Sequence, residues 1–126
     1  MPHVMIYNSE LHIIETNYQG MISFNEIIGT FSEALQLIRD VNCYLTLGDY
    51  RNANVNISTL EIHQLPGIIS TMSTQTGISP FKLKRAFVVS KNLDDFHFFE
   101  NVTRNNGQLA KIFQDVDEAK KWLLQK

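Results

Sequence analysis

Five short apolar runs punctuate this chain: "HVMIY" (3–7), "LHIIET" (11–16), "CYLTL" (43–47), "RAFVV" (85–89) and "AKIF" (110–113). After the first pair, each run is separated from the next by a segment with helical period. Only a crossover can join parallel neighbours, whereas a tight turn joins antiparallel ones. Asn8 and Ser9 supply turn chemistry between the first two runs, so these form an antiparallel hairpin. The later strands run parallel, through right-handed crossovers. The order β-β-α-β-α-β-α-β-α therefore predicts an α/β fold with a mixed, mostly parallel sheet of about five strands and helices on both faces.

The helices announce their own starts. Ser23 and Glu26 have the spacing of a capping box, followed by Phe24, Ile27, Ile28, Phe31, Leu35 and Ile38 on one face, with Arg39 in the last turn. Ser58 and Glu61 repeat the box, and Leu60, Leu65, Ile68 or Ile69, and Met72 outline a second helix. Pro66 and Gly67 fall inside it and predict a kink, or a break into two short helices. Asn92 is placed to cap a third helix from Leu93 to about Arg104, with Asp94 and Asp95 at its positive end and residues 105–107 as its stop. Asp115 opens a fourth helix, which turns Ala119, Trp122 and Leu123 inward.

A chain of 126 residues is one domain's worth, read here as a single domain over 1–126. The formal charge of −2 gives nucleic acid no electrostatic footprint. Lys82, Lys84 and Arg85 form one short basic cluster, read as solvating the start of a strand. Cys43 is the only cysteine, so no internal disulfide forms, and a thiol in an apolar run packs as a small hydrophobe. The N-terminal stretch lacks the pattern of a secretory signal, and no segment approaches the roughly 20 apolar residues of a membrane span. The expectation is a cytoplasmic protein.

The stretch "GDYRNANVNISTLE" (48–61) leaves an apolar strand and enters a helix. Read as a polar loop, it offers Asp49, Tyr50 and Arg51 at the carboxyl end of a parallel strand, where α/β proteins place ligands. Arg51 suits a carboxylate or phosphate, or a structural ion pair with the loop. Ser58 is first of all a helix cap; the same helix start, with Thr59, also suits a phosphoryl group. Catalytic patterns are missing: no nucleophile elbow and no glycine-rich phosphate loop. His3, His12, His63 and His97 lack zinc spacings. Asp94 and His97, one helical turn apart, would supply only two ligands. No enzyme activity, cofactor or metal is expected. In "FHFFE", Phe96, Phe99 and Val102 share a core face while Phe98 points away, either covered by a neighbouring strand or as an apolar surface for a second subunit or an apolar ligand.

The chain also resembles a known group. "ELHIIETNYQGMISFNEI", "YLTLGDYRN", "KRAFVVS" and "KIFQDVDEAKKWL" are similar, nearly end to end, to the SpoIIAA-like, STAS/SEC14-type small α/β domains of bacteria, relatives of anti-sigma-factor antagonists. The resemblance implies a non-enzymatic regulatory or binding domain working through a protein partner, or through itself as a homodimer, at the loop and helix start 49–61. In the antagonist branch a partner kinase phosphorylates a serine at the start of the second helix. Ile57, Ser58, Thr59 and Leu60 lie over that motif, whose aspartate and glycine are absent here. The SEC14-type side implies the alternative, an apolar or lipid-like small molecule held between helices and sheet.

Overall fold

A computed structural model describes residues 3–125. Its elements run β1 (His3–Asn8), β2 (Ile13–Ser23), α1 (Phe24–Val41), β3 (Leu45–Asn56), α2 (Thr59–Gln75), β4 (Lys84–Val88), α3 (Leu93–Asn105), β5 (Leu109–Phe113) and α4 (Val116–Leu124). The sheet order is β1-β2-β3-β4-β5, with β1 and β2 antiparallel and the remaining pairs parallel. Because every crossover steps the same way, right-handedness puts α1, α2 and α3 on one face. Only α4 folds back onto the other. Ile13, Leu47, Ala86 and Val88 meet Ala119 and Leu123 of α4 there, while Ile14 packs with Leu35 and Ile38 of α1 on the three-helix side. The expected order, hairpin and two-faced covering of the sheet are all present.

Both capping boxes are formed. Ser23 Oγ accepts from Glu26 N at 3.2 Å, and Ser58 Oγ accepts from Glu61 N at 3.1 Å while Glu61 Oε1 accepts from Ser58 N at 2.8 Å. Asp115 caps α4 by accepting from Asp117 N at 2.7 Å. At the other end of α4, Lys84 Nζ donates to the carbonyls of Trp122, Leu123 and Gln125 and lies 4.7 Å from the centre of the Trp122 ring. A cation there complements the negative end of the helix dipole. Along the sheet's far edge, α3 reaches down to β5: Ile112 N donates to Glu100 Oε2 and Arg104 Nε donates to Ala110 O. These bonds occupy the edge groups that would otherwise invite another strand.

Three expectations are corrected. Residues 49–56 are strand, not loop: β2 and β3 continue as a parallel pair from Gln19↔Asn52 to Ser23↔Asn56. The three asparagines that read as turn residues form the exposed side of a strand whose other side is Ala53 and Val55. A register shift between Asn17 and Gln19 resets the alternation on the way. Second, the break at Pro66 is absent, and α2 is one helix through it. The proline is fully buried and Leu65 and Ile69 pack beside it against Phe99 of α3. That burial offsets a penalty of about 3 kcal/mol for an interior proline. Third, Asn92 does occupy the cap position of α3, but with left-handed φ and no hydrogen bond from its side chain; only its backbone carbonyl receives Phe96 N.

Candidate functional site

Side chains alternate across a strand, so the proposed Asp49-Tyr50-Arg51 group is split by the sheet. Asp49 and Arg51 share one side, where Nε and Nη2 of Arg51 donate to the carboxylate at 2.9 and 2.7 Å and Arg51 N adds a third bond at 3.1 Å. Burial pushes the Asp49 carboxyl up, but these bonds and the charge of Arg51 outweigh it and hold the group below its ordinary value. The pair is mutually satisfied. Ser58 and Thr59 are exposed at the start of α2, with Ser58 engaged in its cap. Phe98 is half-buried, edge-on to His63 of α2 with ring centres 6.0 Å apart. Buried Cys43 donates its thiol to His12 O at 3.1 Å, as a packed hydrophobe does. Among the described residues, no three histidine, cysteine or acidic side chains stand together as metal ligands.

Tyr50 points the other way, into a cavity of about 100 Å³ between the sheet and the three-helix layer. The cavity's floor comes from alternate residues of three adjacent strands: Thr16 and Tyr18 of β2, Thr46, Gly48 and Tyr50 of β3, and Arg85 and Phe87 of β4. Register brings Thr46 beside Arg85, and sets Gly48 between Thr16 and Phe87. Gly48 matters because it lies inside the central strand with a neighbouring strand on each side. A β-carbon there would stand 3.0 Å from the Tyr50 ring, 3.6 Å from that of Tyr18 and 3.7 Å from that of Phe87. The missing side chain lets Tyr18 and Tyr50 stack at 4.1 Å. The roof is apolar, with Phe31 of α1, Ile62 and Ile69 of α2, and Phe99 of α3. Exposed Asp95 joins the lining from the first turn of α3.

The feature that sequence reading missed is Arg85. The basic cluster was expected to be solvated, yet Arg85 is only 5% exposed and lines the cavity. Period two dictates this: β4 is covered on both faces, so a charge between Leu83 and Phe87 in the three-helix phase has no solvent to reach. Its Nη2 donates to Gln108 Oε1 at 3.1 Å, and Gln108 Nε2 donates to Pro66 O at 2.8 Å. The rings of Phe31, Phe87 and Phe99 lie 5.8, 5.8 and 5.9 Å from the guanidinium carbon. None of the ion pairs among the described residues includes Arg85. Burial lowers its pKa to about 10, and burial raises Tyr18 to about 12 and Tyr50 well above the ordinary phenol value. At neutral pH the site therefore holds a cation and two neutral phenols.

A solved structure shares this architecture. An uncharacterised protein of the DUF3478 family from Shewanella loihica PV-4, described as having a SpoIIAA-like fold, superposes with a TM-score of 0.59 over 96% of this chain and 91% of its own, at 11% identity. The fold is SpoIIAA-like. No family model and no curated protein matches the chain. Within this SpoIIAA-like fold the cavity sits under the crossover helices, and no helix among the described residues is long and apolar enough to cross a membrane.

Proposed function

We propose that this chain is a non-catalytic binding domain that holds a small, mostly apolar molecule between the sheet and α1–α3. The cavity carries this reading. Close-packed interiors leave few voids larger than a water molecule, and engineered apolar cavities of about 150 Å³ take up benzene. A void of about 100 Å³ over the central strand has room for a small ligand and is walled chiefly by hydrocarbon. A few hydroxyls among apolar walls are the usual make-up of a ligand site. The test is a ¹⁵N-resolved NMR titration with benzyl alcohol and with benzoate. Saturable shifts at Thr46, Gly48 and Ile69 support the reading, and filling the space with Ala34→Phe should remove them. If neither probe moves these resonances, the cavity binds nothing of this size and the proposal fails.

A second reading keeps the partner surface at residues 49–61. Leu60 is 68% exposed in the first turn of α2, and Met21, paired with Asn54, is 62% exposed. Exposed apolar side chains beside a helix start suit a protein contact, and a phosphoryl group on Ser58 or Thr59 would bring roughly −1.5 to −2 charges to it. Incubation with a candidate kinase, read by mass spectrometry, should label one of these two residues. Equal labelling of a Ser58→Ala, Thr59→Ala variant would end the switching idea. Light scattering decides whether the contact is between two copies of the chain.

A further inference from the structure

We infer that the cavity selects an anion: a small organic acid whose carboxylate sits on Arg85 and whose apolar body, about the size of a benzene ring, lies against the rings and the roof. The inference rests on the cavity reading above and adds the chemistry of the ligand's head. Arginine is almost never fully buried without a partner. A guanidinium has five N–H donors in a planar fork that matches a carboxylate. In this chain one of them goes to a neutral amide, and no other acceptor among the described residues takes the rest. Gln108 donates onward to Pro66 O, so it orients the guanidinium without neutralising it.

The surroundings fit an anion in another way. Thr46 stands beside Arg85 in the register, and Tyr18 and Tyr50 line the same space, so the cation shares its cavity with three hydroxyl-bearing side chains. Asp95, the one acid in the lining, is exposed and forms no ion pair with Arg85 among the described residues. The ring centres near Arg85 lie close to the roughly 6 Å limit of useful cation–π contact, which makes them weak substitutes for a counter-charge. Thus a buried positive group faces a small void whose remaining walls are apolar. An acid with an apolar body is the ligand that satisfies both.

The experiment compares three probes on the wild-type protein: benzoate, benzyl alcohol and acetate. Benzyl alcohol keeps the ring without the charge, and acetate the charge without the ring. Benzoate should bind at least tenfold more tightly than either of the others, with the Arg85 side-chain Hε resonance shifting on saturation. Arg85→Met should lower benzoate affinity tenfold or more, a much larger change than it makes to benzyl alcohol affinity. Equal affinity for benzoate and benzyl alcohol, or binding of the alcohol alone, overturns the anion assignment while the cavity reading stands. Failure of every probe removes the cavity reading and this inference with it. The wild-type comparison decides the matter even if Arg85→Met does not fold.

Discussion

Arg85 and Gln108 meet at 3.1 Å inside the protein, a full charge held by a neutral amide with no carboxylate beside it. Such an arrangement costs stability, because desolvation of an ion is repaid only by an opposite charge or a complete set of hydrogen bonds. Arg85→Met should therefore raise unfolding free energy by about 1–3 kcal/mol, as apolar replacement of buried ionic groups often does. Urea denaturation with an unchanged m-value measures this. A loss of stability would mean that the guanidinium is a structural strut.

Gly48 is predicted to be the least tolerant position of the central strand. Gly48→Ala puts a methyl group 3.0 Å from the Tyr50 ring, so the stacked tyrosines must separate. Overpacking of this kind costs about 1–3 kcal/mol. Thermal unfolding should show the loss, and near-ultraviolet circular dichroism should show the change in tyrosine packing.

Alkaline titration should find two of the four tyrosines, Tyr18 and Tyr50, slow to ionise. Burial raises Tyr18 to about 12 and Tyr50 well above 10. A phenol with a raised folded pKa contributes stability that is whole below its unfolded value and is lost as pH rises through the folded one. Absorbance near 295 nm should therefore show Tyr18 and Tyr50 ionising only above the ordinary phenol value of about 10, as the fold gives way. Ionisation of Tyr18 or Tyr50 at or below the ordinary phenol value, with the fold intact, would contradict the packing.

Asp49 works in the opposite direction. Its folded pKa is depressed, the bonds and charge of Arg51 outweighing burial, so its contribution is present above the ordinary carboxylate pKa and disappears as pH falls through the lowered value. Arg51→Ala should flatten the acid side of the stability profile, measured as the midpoint of acid unfolding followed by circular dichroism. An unchanged acid limb would assign the sensitivity elsewhere.

Ser58→Ala removes an exposed cap and should cost about 1 kcal/mol. The same change at Ser23, where the box has slightly longer bonds, should cost no more. Chemical denaturation of the two variants in parallel tests the ranking.

The residues that announced themselves in the sequence acted locally. Ser23 with Glu26, Ser58 with Glu61, and Asp115 stand where short-range chemistry puts them, and the alternation of runs gave the topology. What stayed illegible depended on neighbours distant in the chain. Asn52, Asn54 and Asn56 favour turns by themselves, but pairing with residues 19–23 makes them a strand face. The alternation with Ala53 and Val55 was the available signal. Pro66 is tolerated because α2 is buried against α3, which periodicity within one helix does not report. Arg85 was readable in principle: a charge in phase with Leu83 and Phe87, in a strand covered on both sides, has nowhere to be solvated. Gly48 gave no such warning, since a strand-end glycine and a cavity-forming glycine look alike until the register is known.

The one-way strand order bears on how the molecule is made. A chain emerging amino end first from the ribosome would find a docking site for each new strand already in place beside it, so no segment waits for a later strand to be inserted. The face that α4 covers stays bare until α4 itself is made, leaving Ile13, Leu47 and Val88 uncovered after the three-helix side has closed.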